Sequence, residues 1–210
     1  MPVWLFDLDN TLHNASAHIF PRINRAMRDY IQHHLGLDRR QADQLRIAYW
    51  QRYGATLLGL IRHHQIDPAH FLRETHHFPD LAHLLVVEKP LTHTLKRLPG
   101  RKIVFTNGPA AYAEAVLELT GLARHFSAVY AMEQLRFRPK PEAAAFRRLL
   151  AQERLAPQQC IMVEDSLQNL ITAKKLGMRT VWISREMRQS PVVDRKLRSV
   201  VELGRLHGRL

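Results

Sequence analysis

Residues 3–11 read Val3-Trp4-Leu5-Phe6-Asp7-Leu8-Asp9-Asn10-Thr11. Four apolar residues without polar alternation predict a strand covered on both faces. Two aspartates, one residue apart, follow at its end. Carboxylates that close repel, and removing them from water adds to the cost. A divalent cation is the simplest group that offsets it.

Further along, Lys102–Phe105, Ala128–Ala131, Cys160–Val163 and Thr180–Ile183 have the same uninterrupted apolar character and predict four more strands. Helical patterns lie between them. Ala110–Leu119 stops at Gly121, Glu142–Gln152 carries Phe146, Leu149 and Leu150 on one face, and Leu167–Leu176 stops at Gly177. Strand and helix in alternation imply an α/β fold, a Rossmann-like parallel sheet with helices on both faces. The tail from Arg185 on is basic and is expected to be helical.

One gap breaks the alternation. About ninety residues separate the first two strands, where a crossover needs only a dozen or so. Ile19, Phe20, Ile23, Met27, Tyr30 and Ile31 form a helical stripe, Ala42–Tyr53 a second helix ending near Gly54, and Thr56–His64 a short third. Asp67–Pro68 is a helix start, with Asp as N-cap and Pro in the first turn. The expected division is a core of residues 1–14 and 96–210 and a helical cap of residues 15–95, inserted after the first strand. An insert there hangs over the carboxyl ends of the strands, where open α/β sheets bind ligands, and can act as a lid.

The sheet gathers polar groups at that edge. Asp7 and Asp9 follow the first strand, Thr106, Asn107 and Gly108 the second, and Glu164, Asp165 and Ser166 the fourth. Lys140 precedes a helix in FRPKPEAAAF (residues 137–146). Clustered carboxylates without cysteine or histidine suit a hard cation such as Mg²⁺. One aspartate can act as nucleophile and another as general acid. The Thr106 hydroxyl and the backbone N–H groups of the Asn107–Gly108 turn can take phosphoryl oxygens, and Lys140 adds a compact positive charge. Together they are equipment for moving a phosphoryl group. Taken singly, each motif is also a common turn or helix cap; it is their order along the chain that argues for a site.

Composition narrows the classes. Apolar residues make up 46% of the 210, as in globular domains. No apolar run reaches the roughly 18 residues of a membrane span, and no secretory signal is visible. The single cysteine, Cys160, has no internal disulfide partner, which points to the cytoplasm. A formal charge of +12 suggests nucleic acid, but the basic residues are spread along the chain and carry no nucleic-acid-binding motif. Solvated helix faces are the better account, and the positive field would attract a small anionic substrate. The histidine pairs His33–His34, His63–His64 and His76–His77 point in different directions on a helix, and no HExxH or Cys/His cluster is present.

DLDNT, FTNG, RPKP and VEDSLQN resemble the four signature motifs of the haloacid dehalogenase superfamily of phosphatases, over roughly residues 2–184. The resemblance implies that Asp7 is the nucleophile, forming an aspartyl-phosphate, and that Asp9 is the general acid and base. It implies that Thr106 and Lys140 bind the phosphoryl group, beside the Asn107 turn, and that Lys140 also steadies Asp7. Mg²⁺ would be held by Asp7, the backbone carbonyl of Asp9 and Asp165. By the same resemblance Glu164 is a candidate further ligand, since members carry either an acidic residue or glycine there. Asn169 stands where many members have a second aspartate, which leaves it to hold a metal-bound water or Lys140.

The insert, AYWQRYGATLLGLIRHHQIDPAHFLRETH (residues 48–76), is similar to the cap of the pyrimidine 5′-nucleotidase branch. That similarity implies a nucleoside monophosphate substrate such as UMP or CMP, with Tyr53 and Thr56 as cap contacts; Tyr49, Tyr53 and Leu58 equally fit helix packing. Alternatives are a sugar-phosphate or phosphoglycolate phosphatase, a transferase resembling β-phosphoglucomutase, and a basic nucleic-acid-binding module on the same fold.

Overall fold

In a computed structural model, described here for residues 1–205, β1 (Val3–Phe6) lies at the centre of a six-stranded sheet. With β2 (Arg101–Phe105), β3 (Ala128–Tyr130), β4 (Cys160–Glu164), β5 (Arg179–Ile183) and β6 (Arg195–Leu197), the order is β3-β2-β1-β4-β5-β6, and every pairing is parallel. Leu5 sits opposite Ile103 on one side and Met162 on the other, so the ends of β1, β2 and β4 are in step.

Alternate residues supply the two faces. Trp4, Phe6, Val104, Ile161, Val163 and Val181 share one apolar cluster with Ala113, Val116 and Leu117 of α7 (Ala110–Leu119). Val3, Leu5, Ile103, Phe105 and Met162 share another with Phe146 and Leu149 of α8 (Ala143–Glu153) and Leu170 and Ala173 of α9 (Leu167–Lys175). Coverage on both faces explains the apolar runs in the sequence.

Six helices lie between β1 and β2: α1 (Ala15–Leu35), α2 (Arg39–Tyr53), α3 (Thr56–His64), α4 (Pro68–Thr75), α5 (Leu81–Leu84) and α6 (Leu91–Arg97). Asn14 caps α1, Asp38 makes a reciprocal capping box with Gln41 at α2, and Asp67 caps α4 ahead of Pro68. Tyr30, Ile31, Ala42, Leu57, Leu60, Phe71 and Leu72 of this segment form a third cluster, which Met132 joins from beyond β3. The first half of α1 and α6 pack instead with the sheet, through Ala15, Ile19, Leu91 and Leu95. The expected boundary between residues 95 and 96 therefore falls inside α6.

The tail departs from expectation. Residues 195–197 form edge strand β6, followed by a 3₁₀ turn over Val200–Arg205, where a helix from Arg185 on was expected; residues 206–210 lie outside the described residues. Asp194 fixes the arrangement by accepting from Thr180 N (2.8 Å) and from Lys174 Nζ (2.5 Å). Leu197, Val200 and Leu203 then reach the core. Two of the three strand residues are basic, and Lys196 lays its ammonium over the Trp182 ring, 4.8 Å from the centroid, so no apolar run marks the strand. No helix of the described residues is long and apolar enough to cross a membrane.

Candidate active site

The site forms where β1, β2 and β4 end. The Asp7 N–H donates to Val163 O at 2.9 Å, extending the ladder one residue past β1. Leu8 is fully buried in the core, so the chain turns the aspartates on either side of it away from that cluster. Leu8 O then accepts from Leu12 N at 2.9 Å, closing a tight turn. Asn10 takes a left-handed conformation in it (φ 61°), which asparagine tolerates, and its amide makes two 2.9 Å bonds to Ser16.

Lys140 is the hub. Its Nζ is buried and donates to Asp7 Oδ1 (2.7 Å), Phe105 O (2.7 Å) and Glu164 Oε2 (2.8 Å). An ammonium has three donors, so all are spent inside the protein. Burial pulls its pKa down, but Asp7 and Glu164 more than offset this and hold it above the ordinary lysine value. Asn107 clamps the Lys140 backbone from both sides, accepting from its N (2.8 Å) and donating to its O (2.9 Å). The Asn107 side chain thus serves Lys140. The Asn107 N–H and the Thr106 hydroxyl remain to meet a ligand, while the expected Gly108 N–H is spent within the turn. That hydroxyl accepts from Gly108 N at 3.0 Å, and among the described residues nothing takes its proton.

Glu164 is bonded at both oxygens, with one lone pair of Oε1 left over. Oε2 accepts from Lys140 and from Asn169 Nδ2 (2.9 Å), and Oε1 accepts from Ser166 N (3.1 Å). Asn169 therefore holds Glu164, which in turn accepts from Lys140. Carboxylate oxygens of Asp7, Glu164 and Asp165 lie within 4.8 Å of one another. Burial, then Glu164, pushes Asp7 up to about 7 despite Lys140; burial, then Asp7 and Glu164, pushes Asp165 up to about 9. Three carboxylates face one ammonium. When ionised they carry two surplus negative charges, all on oxygen, which fits a divalent hard cation.

Asp9 has separate surroundings. Its Oδ1 accepts from Tyr112 OH (2.6 Å) and pairs with His13 Nε2 (2.9 Å). Burial, then Asp9, drives the Tyr112 pKa upward, so the phenol stays protonated. Neither Tyr112 nor His13 was singled out from sequence. Tyr112 lies on the apolar stripe of α7 and looks like a core residue. The four-residue spacing from Asp9 to His13 was the available signal, but it falls in a turn rather than a helix.

Of the two candidate contacts in the helical segment, Thr56 is buried and donates to Arg46 O (3.0 Å), joining α3 to α2. Tyr53 is half-buried, with its hydroxyl 2.7 Å from His63 Nε2. Tyr49 packs on Gly59, where an added Cβ would lie 2.2 Å from its ring. Next to Tyr53, Gly54 has φ 79°, and a Cβ there would meet Pro141 Cδ at 2.9 Å, so the α2–α3 turn lies against the residue that follows Lys140.

A family model described as haloacid dehalogenase-like hydrolase matches residues 1–177. The chain is 27% identical over 192 residues to Phosphate metabolism protein 8 of Saccharomyces cerevisiae, covering 84% of this chain but 59% of the yeast protein. It is 26% identical to Phosphoglycolate phosphatase of Colwellia psychrerythraea (87% and 84% covered) and 26% identical to 5′-nucleotidase of Pseudomonas aeruginosa (87% and 82%). A solved HAD phosphatase from Thermococcus onnurineus superposes with TM-score 0.69 at 24% identity, over 99% of this chain and 98% of that one.

Proposed function

The chain belongs to the haloacid dehalogenase-like hydrolases, and on that premise we propose that it is a Mg²⁺-dependent phosphomonoesterase acting on a pyrimidine nucleoside 5′-monophosphate. The observation that carries the chemistry is the buried Lys140 ammonium joined to Asp7 and Glu164, with Asp165 alongside.

Lys140 holds Asp7 Oδ1 and leaves Oδ2, which has no hydrogen-bond donor among the described residues, as the attacking atom. An Asp7–phosphorus bond forms as the bond from phosphorus to the ester oxygen breaks, and Asp9 gives its proton to the departing oxygen. Asp9 then takes a proton from water, whose oxygen attacks the aspartyl-phosphate. Inorganic phosphate leaves and Asp7 is regenerated. The Thr106 hydroxyl donates to a phosphoryl oxygen, and the Asn107 N–H lines the same position. Asp7, the Asp9 carbonyl and Asp165 would hold Mg²⁺, which neutralises phosphoryl charge when bound. Glu164, itself held by Asn169 and the Ser166 N–H, fixes Lys140.

The second half of α1 through α4, which share their own apolar cluster, act as a cap over this site, and Tyr53 offers its ring to the base beside the Gly54–Pro141 contact. The Pseudomonas 5′-nucleotidase relative supports a nucleotide. The Colwellia relative favours a second reading, a phosphoglycolate or sugar-phosphate phosphatase. Metal-stripped protein assayed on UMP, CMP, AMP, GMP, phosphoglycolate and sugar phosphates, with and without Mg²⁺, tests both. The pyrimidine nucleotides should give the highest kcat/KM, and only with metal. Release that is highest from a sugar phosphate moves the substrate; no phosphate from any ester removes the activity.

A further inference from the structure

We propose that Tyr112 and His13 are positioning residues that converge on Oδ1 of Asp9 and thereby place its transferable proton on Oδ2. This rests on the role of Asp9 as general acid proposed above. Tyr112 OH is 2.6 Å and His13 Nε2 2.9 Å from the same oxygen, and the two donors are 3.3 Å from each other. Both side chains are buried, at 3% and 4% exposure, so water does not compete for these bonds. His13 Nδ1 is buried without a partner, so Nε2, facing a carboxyl oxygen, is the nitrogen that carries the proton.

An oxygen that accepts two hydrogen bonds has no lone pair left for a proton of its own. The acid form of Asp9 is then protonated on Oδ2, which takes no hydrogen bond among the described residues. Rotation about the last side-chain bond would exchange the two oxygens, and the paired donors oppose it. Tyr112 comes from α7, and His13 from the turn that leads into α1. They fix the β1 loop from two sides. Gly108 allows this approach, since a Cβ there would lie 3.1 Å from the Tyr112 ring. A tyrosine kept only for packing would need no hydroxyl partner on a reacting group, and phenylalanine would fill the same space.

The test is a cycle of Tyr112→Phe, Asp9→Asn and the double variant. Each is assayed by kcat/KM on an alkyl phosphate (UMP or the best ester of the panel) and on p-nitrophenyl phosphate, whose leaving group departs without a proton. Tyr112→Phe should lower kcat/KM on the alkyl ester by about 10-fold or more and on the aryl ester by less than about 3-fold. It should add nothing in the Asp9→Asn background. His13→Leu should reproduce the leaving-group pattern and supplies the answer should Tyr112→Phe fold poorly. Equal losses on both esters, additive losses in the double variant, or parent-like activity of Tyr112→Phe beside a crippled Asp9→Asn would overturn the proposal alone. Parent-like Asp9→Asn on the alkyl ester would remove the acid assignment, and this proposal with it.

Discussion

Lys140 has three N–H bonds to give, and Asp7, Glu164 and Phe105 take all of them. Its first role is thus to hold two carboxylates in one place. Removing it leaves both buried and unpaired, which typically costs 3–5 kcal/mol. Lys140→Met should lower stability by about 3–5 kcal/mol in urea unfolding and abolish turnover; a parent-like unfolding midpoint would contradict the hub. Asp7→Asn differs, because the amide can still accept from Lys140 at one atom. That variant should stay folded by circular dichroism and lose at least about 10⁴-fold in kcat. Sequence exposed these residues because a carboxylate at a strand end, or a lysine between prolines ahead of a helix, is conspicuous. Tyr112 and His13 escaped notice because one sits among apolar neighbours and the other in a turn whose contact with Tyr112 spans 99 positions of sequence.

Among the elements, the junction between the helical segment and the site is the α2–α3 turn. Gly54 serves there twice, in its left-handed backbone and in its close approach to Pro141. Gly54→Ala should destabilise by about 1–2 kcal/mol, since both features resist a Cβ. It should also raise KM more than it lowers kcat, because the displaced neighbour is next to Lys140. An unchanged melting temperature and KM would sink that assignment. Five of the six strands and the longer helices were legible from apolar runs and caps. The edge strand β6 was not, since its pairing depends on Asp194 reaching Thr180 and Lys174, and its basic residues look like a solvated tail. Thr56 was legible as a polar residue near the expected cap, but its burial against Arg46 O was not, because side-chain direction depends on how two helices pack.

For the molecule as a whole, the buried carboxylates link metal, pH and stability. Asp7 at about 7 and Asp165 at about 9 both stand above their ordinary range. Between about pH 4 and 9 these two carboxylates therefore bind more protons in the folded, metal-free protein than in the unfolded chain, and their contribution to stability falls as pH rises; His76, held down to about 4 by burial, acts in the opposite sense below about pH 6.5. A cation needs the ionised carboxylates, so its stabilisation grows in the same direction. Thermal unfolding should show a Mg²⁺-dependent rise in Tm that is small near pH 5 and larger near pH 8. A rise independent of pH would mean that the cation binds elsewhere. The positive charge of the chain adds a field that draws anionic esters inward, so kcat/KM should fall with added salt.

The central claim is that Asp7 carries the phosphoryl group. Acid quenching of the enzyme during turnover of its best ester with Mg²⁺, followed by peptide mass spectrometry, tests it directly. A hydroxylamine-labile phosphoryl adduct should appear on the peptide spanning β1, at Asp7, and be absent in Asp7→Asn. An adduct on a different residue, or full turnover by Asp7→Asn, would contradict the account.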